Sequence, residues 1–189
     1  MYEYHCRVIR VIDGESLKLE VDCGFDVRTW INARVMGVNA PEIRGDERDL
    51  GKAAREWLTW VLVGGSDADS PMIFRSHKRD QHGRWIGDIA MDPRRVDYHR
   101  LYPKDFGSDG YLGQIRLSVS LRDWMSETGI GIGWDGRGTR PGFKDVTLED
   151  YASGFGVPAD ELLHLTEHSN AVGQRRWCEE VAASVEGRA

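Results

Sequence analysis

The amino-acid sequence predicts an α+β fold, in which a small β-barrel or meander carries packed helices and a helical C-terminal extension. The first observation is a series of apolar runs near the amino terminus, with the period-2 alternation of strands and short turns between them. The second is a set of later segments whose apolar residues recur at helical spacing. Consecutive antiparallel strands joined by short turns are typical of small barrels, so we expect these strands to form one.

Three strands are predicted at the amino terminus. Asp13 and Gly14 form a strong turn signal, and Cys23 and Gly24 form another. The runs on either side of the first turn alternate apolar and polar residues, which is typical of a hairpin. The third run is longer and ends at an Asn-Ala-Pro corner. The predicted strands are Tyr4–Ile12, Ser16–Val21 and Val27–Val38.

Helices follow, with two further strands between them. The clearest helix covers Gly51–Val63, whose apolar residues form one stripe and which ends before a glycine pair. Asp92–Gly113 is rich in Pro, Gly, Tyr and charged residues and is predicted to be a long surface loop. The further strands are predicted over Met72–Arg75 and Trp85–Met91, and the further helices over Leu117–Thr128, Thr147–Phe155, Pro158–Asn170 and Gln174–Ser184.

The charges divide the chain near residue 145. Residues 146–189 contain eight acidic and three basic side chains, a net charge of −5, whereas the whole chain has −6. The first part is therefore nearly neutral, and many of its basic residues cluster between Arg75 and Lys104. A local basic surface can bind nucleic acid, whereas an acidic tail opposes such binding. We predict one domain over 1–145 and an acidic helical extension over 146–189, which is a candidate site for a protein partner.

The composition argues against several other classes of protein. No apolar run is long enough for a transmembrane helix, and the amino-terminal residues do not resemble a signal peptide. We therefore expect a cytoplasmic protein without a membrane partner. Three cysteines without C-x-x-C spacing predict neither a disulfide framework nor a zinc knuckle.

Two segments carry the residue types that phosphodiester hydrolysis needs. Arg34 starts a stretch that ends at Glu42, and Arg84 follows a glycine before another apolar run. Guanidiniums can stabilise the charge on a pentavalent phosphorus, and a carboxylate can act as the base for the attacking water. Each of these residues alone would be an ordinary surface side chain. Their combination predicts phosphodiester chemistry.

Four segments in this order resemble the staphylococcal-nuclease-like (thermonuclease) family. They are Val8–Ser16, Arg34–Glu42, Gly51–Ala54 and Asp80–Arg84, and the similarity extends from about Tyr4 to Ile132. The resemblance implies a five-stranded OB-fold-type β-barrel with packed helices. It also implies an endonuclease of the thermonuclease type, which cleaves phosphodiester bonds of DNA or RNA in the presence of calcium.

The resemblance implies catalytic roles for three residues. Arg34 and Arg84 correspond to the two arginines that bind the phosphate, and Glu42 corresponds to the general base that activates water. In-line attack with departure of the 5′ oxygen would then leave a 3′ phosphate. The aromatic residues that cover the nucleotide base in this family do not align. The candidates to replace them are Tyr98, Tyr102, Tyr111 and Trp134.

The resemblance also implies a calcium site. Glu15 corresponds to an aspartate ligand, Asn39 to a position that is often aspartate, and Ala40 to a residue that binds through its backbone carbonyl. Calcium accepts oxygen ligands in flexible geometry, so this set can suffice. Both side-chain departures should weaken the site or shift its preference toward another divalent cation. The alternative interpretations are an ordinary turn acid for Glu15 and a turn-stabilising side chain for Asn39.

Two functions therefore remain open. The first is a metal-dependent nuclease, with Ca²⁺ as the expected ion and DNA or RNA as the substrate. The second is a catalytically weakened nuclease-like domain that binds nucleic acid or protein. The intact set of Arg34, Glu42 and Arg84 favours the first, because a binding module has no need of a general base. The altered residues at Glu15 and Asn39 favour the second.

Overall fold

A computed structural model describes residues 2–63, 72–91 and 119–165 of the chain. The strands are β1 (Tyr2–Val11), β2 (Ser16–Asp22), β3 (Arg28–Val35), β4 (Val38–Asn39), β5 (Met72–Arg79), β6 (Trp85–Met91), β7 (Val119–Ser120) and β8 (Ile132–Gly133). The helices are a 3₁₀ turn (Gly45–Glu47), α1 (Arg48–Leu62), α2 (Leu121–Glu127), α3 (Leu148–Ser153) and α4 (Ala159–Leu162). None of the helices described is long and apolar enough to cross a membrane. The predicted loop Asp92–Gly113 and the predicted helix Gln174–Ser184 lie outside these residues.

Five strands form a closed barrel. They are hydrogen-bonded in the order β3, β2, β1, β5 and β6, with each neighbouring pair antiparallel. A parallel pairing between β3 and β6 closes the barrel. The two-residue β7 extends the sheet beyond β6, and β4 and β8 form a separate two-stranded sheet. The result is an α+β fold consistent with an OB-like barrel, as the sequence predicts.

Alternation along the strands explains why the barrel has one packed interior. On β2, Leu17, Leu19 and Val21 are buried, whereas Lys18 and Glu20 between them are partly exposed. Successive side chains of a strand point to opposite faces, so this pattern directs one face into the barrel. Helix α1 packs on β1 and on the short helices α3 and α4, which buries its predicted apolar stripe.

The predicted third strand is two strands. β3 ends at Val35, and β4 begins at Val38 after a turn. Gly37 in this turn has a φ of 79°, in the left-handed region that glycine adopts without a steric penalty. A Cβ at this position would also lie 2.7 Å from Cδ of Arg122 in α2. The prediction of one continuous strand over Val27–Val38 is therefore wrong.

The second predicted helix begins later than expected. Val119 and Ser120 pair with β6, and α2 starts at Leu121. Ser120 is the N-cap of α2, because its hydroxyl accepts a hydrogen bond from the backbone nitrogen of Asp123 at 3.3 Å. The prediction that this helix includes Val119 and Ser120 is therefore wrong.

The first part of the C-terminal extension packs on α1 and on the segment that follows α2. The ring of Phe155 lies 4.9 Å from the ring of Trp57, measured between centroids. The hydroxyl of Tyr151 donates to the carbonyl oxygen of Ile130 at 2.7 Å. Buried residues of the extension and of the barrel belong to one hydrophobic cluster. The division of the chain at residue 145 stays a prediction.

Candidate functional site

The predicted site residues lie near one end of the barrel, where three segments meet. Ser16 is the first residue of β2 and pairs with Arg34, near the end of β3. Ala33 pairs with Trp85, the first residue of β6. The turn before β2 and the turn before β6 therefore both adjoin the end of β3. This register brings sequence-distant side chains into one site.

Glu15 is the buried carboxylate of this site. Its backbone nitrogen donates to Oδ1 of Asp13 at 2.9 Å, which fixes the turn before β2. Its Oε1 accepts from Nη1 of Arg34 and, at 3.3 Å, from Nη2 of Arg140. Its Oε2 accepts from the backbone nitrogen of Ala40 at 3.3 Å. The carboxylate depends on these donors, because burying a charge without partners is strongly unfavourable.

Arg34 lies among charges of both signs. Burial lowers the pKa of its guanidinium, and the neighbouring guanidiniums of Arg84 and Arg140 lower this pKa further. The carboxylates of Asp13 and Glu42 act on the pKa in the opposite direction. Two further guanidiniums thus act on Arg34 at this end of the barrel. A bound anion such as a phosphate would reduce their mutual repulsion.

Arg84 is oriented by the turn between β5 and β6. Asp80 accepts hydrogen bonds from the backbone nitrogen of Arg84 at 2.8 Å and from its Nε at 2.7 Å. Burial opposes ionisation of Asp80, but hydrogen bonds from Arg84 and His82 outweigh it and lower the pKa of this carboxyl. Nη1 of Arg84 donates to the hydroxyl of Ser16 at 3.2 Å. Ser16 therefore connects Arg84 to the strand position that pairs with Arg34.

Glu42 lies at the corner between β4 and α1, and its side chain is 52% exposed. Its backbone nitrogen donates to Oε2 of Glu47 at 3.2 Å. Its Oε1 accepts from Nη1 of Arg140. Helix α1 approaches the corner closely, because a Cβ at Gly51 would overlap the carbonyl oxygen of Glu42. The absence of a side chain at Gly51 therefore allows the helix to support this corner.

Asn39 and Ala40 are buried beside Glu15. Nδ2 of Asn39 donates to the carbonyl oxygen of Pro141 at 2.6 Å, and Oδ1 accepts from Nε of Arg140. An asparagine amide offers both a donor and an acceptor, whereas an aspartate offers acceptors alone. Asn39 therefore binds the backbone and the side chain of the segment that follows β8. These contacts differ from both suggested roles of Asn39, as a calcium ligand and as a turn-stabilising side chain.

Arg140 is the functional candidate that sequence analysis misses. It contacts Asn39 from 101 positions away and Glu42 from 98 positions away. The preceding glycine-rich stretch lacks the spacing of a phosphate-binding loop, and a lone arginine before proline forms no motif. The fold places Arg140 at the site, because β8 pairs with β4 and the chain after β8 therefore lies beside Asn39.

The predicted calcium ligands do not fit a metal ion as they lie. Within the described parts of the chain, no group of three or more His, Cys, Asp or Glu side chains could hold one. Oε1 of Glu15 and Oδ1 of Asn39, two side-chain oxygens of the predicted ligands, both accept hydrogen bonds from Arg140. A guanidinium at these oxygens would repel a second cation. Arg140 therefore opposes the binding of an ion at these two oxygens.

The structure describes part of the predicted basic surface and one of the four aromatic residues predicted to cover a base. Nε of Arg75 donates to Glu3 at 2.8 Å, so this charge is already paired. Trp134 donates through its indole Nε1 to the carbonyl oxygen of Arg137 at 2.9 Å. Lys78 and Arg79 are exposed at the end of β5, and the guanidinium of Arg79 lies 5.1 Å from the ring centroid of Trp85. Seven further candidates lie outside the described residues. They are Arg94, Arg95, Arg100 and Lys104 of the basic surface, and Tyr98, Tyr102 and Tyr111 of the aromatic set.

Comparison of the sequence with known protein families finds no match, and comparison with curated proteins finds none. The resemblance to staphylococcal-nuclease-like proteins therefore depends on the four segments Val8–Ser16, Arg34–Glu42, Gly51–Ala54 and Asp80–Arg84. Membership of that family stays a prediction.

Proposed function

We propose that this protein is a cytoplasmic nuclease that hydrolyses phosphodiester bonds of DNA or RNA. The proposal depends on one observation, the convergence of two arginines and a carboxylate near one end of the barrel. Arg34 pairs with Ser16, whose hydroxyl accepts from Arg84. The charge of Glu42 acts on the same Arg34 guanidinium. Such a set can supply both the charge stabilisation and the proton transfer that hydrolysis requires.

In the proposed reaction, Arg34 and Arg84 donate hydrogen bonds to the non-bridging oxygens of the phosphate. A water oxygen forms a bond to phosphorus while Glu42 accepts a proton from that water. The bond between phosphorus and the 5′ oxygen breaks, and its electron pair leaves with the oxygen, which takes up a proton from solvent. The products are a 3′ phosphate and a 5′ hydroxyl. The half-exposed position of Glu42 suits this role, because substrate and water must reach its carboxylate.

Dependence on calcium, or on another divalent cation, stays a prediction from the resemblance. The proposed reaction uses no ion, because Arg140 contacts Oε1 of Glu15 and Oδ1 of Asn39. The proposed protein partner of the C-terminal extension also stays a prediction.

One observation favours a binding module as the second candidate. Arg140 donates to Oε1 of Glu42, so the carboxylate assigned to the base is already engaged by a guanidinium. A site with three arginines could hold a phosphate group without hydrolysing it. The protein would then bind nucleic acid through this end of the barrel and leave it intact.

Cleavage assays on plasmid DNA and on fluorescent DNA and RNA oligonucleotides distinguish these functions. Each assay is run with calcium, magnesium, manganese or a chelator. We expect the wild type to cleave, and Glu42→Gln to lose about 10²- to 10⁴-fold in rate, the usual contribution of a general base. Glu161→Gln is the matched control, because it neutralises an exposed carboxylate of α4 and should leave the rate unchanged.

Wild-type cleavage no faster than that of Glu42→Gln under every condition would overturn the nuclease proposal. Retained affinity for an oligonucleotide, measured by fluorescence anisotropy, would then favour the binding module. Cleavage that persists in chelator would contradict the metal dependence and leave the nuclease proposal in place.

A further inference from the structure

Arg140 contacts three side chains of the candidate site through three different nitrogens. Nε donates to Oδ1 of Asn39, and Nη1 donates to Oε1 of Glu42. Nη2 donates to Oε1 of Glu15 at 3.3 Å. Two of these partners are carboxylates, so one guanidinium lies between two negative charges and an amide oxygen. A planar guanidinium with five donors suits this arrangement better than an ammonium group does.

Two contacts fix the backbone that follows Arg140. The carbonyl oxygen of Pro141 accepts from Nδ2 of Asn39 at 2.6 Å, and the proline ring restricts φ at this position. The backbone nitrogen of Phe143 donates to Oε1 of Glu47 at 2.8 Å, and the Phe143 side chain is buried in the hydrophobic core. An anchored segment therefore carries Arg140 to the site.

The Arg140 guanidinium and a divalent cation would compete for Oε1 of Glu15 and Oδ1 of Asn39. Calcium binds roughly six to eight oxygens at about 2.3–2.6 Å, which requires their lone pairs to point at the ion. Oε1 of Glu15 accepts from both Arg140 and Arg34, so its lone pairs are directed at two guanidiniums. Like charges at short range in a partly buried site repel strongly, because water screens them poorly.

We propose that Arg140 is the resident cation of this site and that a divalent ion binds there only when its guanidinium is removed. This proposal rests on the proposed function in one respect, namely that a phosphodiester binds at this site. The positive charge that faces the phosphate then comes from Arg34, Arg84 and Arg140. Unlike an ion, none of these charges can be extracted by a chelator.

Isothermal titration of the full chain with calcium chloride tests the proposal. Arg140→Ala should bind calcium at least about tenfold more tightly than the wild type, a coupling typical of two ligands that affect one another. Arg137→Ala is the matched control, because it removes an exposed arginine from the same segment, and it should behave as the wild type does. Addition of Glu15→Gln to Arg140→Ala should abolish the gain, because it removes the buried carboxylate that would bind the ion.

Equal calcium affinity in the wild type and in Arg140→Ala, or no calcium binding in either, would overturn the proposal. Circular dichroism establishes whether the variants are folded. If Arg140→Ala is unfolded, Arg140→Gln is titrated in its place and judged by the same criterion, because glutamine keeps a donor and loses the charge.

The titration does not depend on cleavage, so the two proposals can fail separately. A protein that gains calcium binding in Arg140→Ala but cleaves no substrate would support the inference about Arg140 and contradict the nuclease proposal. A protein that cleaves DNA or RNA with calcium, but whose calcium affinity is unchanged in Arg140→Ala, would support the nuclease proposal and contradict the inference about Arg140.

Discussion

Nη1 of Arg34 donates to Oε1 of Glu15, in a pair whose side chains are 16% and 7% exposed. The pair joins β3 to the turn before β2, at the same level where Ser16 and Arg34 pair in the sheet. Because Glu15 is buried, the arginine that we assign to phosphate binding also neutralises a carboxylate of the folded protein. Loss of activity in a variant of Arg34 therefore has two possible causes, and stability has to be measured first.

Arg34→Ala should lower the free energy of unfolding by about 1–3 kcal/mol, because it leaves a buried carboxylate with fewer donors. Urea unfolding followed by tryptophan fluorescence measures this change. Arg28→Ala is the control on the same strand, since its guanidinium is 63% exposed and lies 3.3 Å from Glu20. Exposed pairs contribute little, so we expect a change of about 0.5 kcal/mol or less. Equal losses in the two variants would contradict the structural role of the Arg34–Glu15 pair.

Glu47 should behave as a positioning residue. Its carboxylate accepts from the backbone nitrogen of Glu42 at 3.2 Å and from that of Phe143 at 2.8 Å, which links the Glu42 corner to the segment that carries Arg140. We expect Glu47→Ala to lower stability by about 1–2 kcal/mol. In the nuclease assay, kcat should fall while KM changes little, because the base is displaced whereas Arg34 and Arg84, on the barrel strands, are not.

Glu47→Gln should recover part of the kcat lost in Glu47→Ala, since an amide oxygen can still accept one of the two hydrogen bonds. A rise in KM at unchanged kcat in Glu47→Ala would indicate instead that Glu47 contributes to substrate binding.

The barrel could be predicted from the sequence because strand alternation and turn chemistry are local properties. The predicted hairpin at Asp13 and Gly14 is confirmed, since β1 and β2 pair on either side of this turn. The break at Gly37 could not be predicted in the same way. A glycine in an apolar run is compatible with a strand or with a turn, and its neighbour in the fold is Arg122, which is remote in sequence.

Two arginines of the candidate site adjoin the barrel strands. Arg34 and Arg84 come together because the register of β3 and β6 follows from closure of the barrel. Arg140 has no such relation to the strands that carry the motifs, and its contact with Glu42 spans 98 positions. The sequence indicates which oxygens could bind calcium. It does not indicate that the guanidinium of Arg140 contacts two of them.

Gly51→Ala should destabilise the protein, although alanine normally stabilises a helix interior by about 1 kcal/mol relative to glycine. The new Cβ would overlap the carbonyl oxygen of Glu42, so either the helix or the corner must move. We expect a loss of about 1–3 kcal/mol in thermal or urea unfolding. Gly133→Ala is the control, because a Cβ at Gly133 has no neighbour within 4 Å. Stabilisation by Gly51→Ala would contradict the close approach of α1 to this corner.

Asp13 and Asp80 should make opposite contributions to the dependence of stability on pH. Burial raises the pKa of Asp13 above its ordinary value of 3.8, although hydrogen bonds with Ser16 and the charges of nearby arginines partly counteract it. The folded state therefore binds this proton more tightly than the unfolded state does. The destabilisation from ionised Asp13 is present above its folded pKa and disappears as pH falls through that pKa toward 3.8.

For Asp80, burial acts in the same direction as for Asp13, but hydrogen bonds from Arg84 outweigh it and lower the pKa below 3.8. The stability that ionised Asp80 contributes is therefore present above 3.8 and is lost as pH falls through the folded pKa. Stability therefore changes with the ionisation of Asp13 above pH 3.8 and with that of Asp80 below pH 3.8.

Urea unfolding of the wild type, Asp13→Asn and Asp80→Asn over a series of pH values separates these contributions. The free energy of unfolding of Asp13→Asn, relative to the wild type, should decrease as pH falls toward 3.8, because the wild type gains stability. The same difference for Asp80→Asn should be negative at neutral pH and become less negative as pH falls below 3.8, because the wild type loses stability. Asparagine changes hydrogen bonds at either site, but those changes do not vary with pH, so the slope is diagnostic. Slopes of the same sign for both variants would contradict the environment assigned to Asp13.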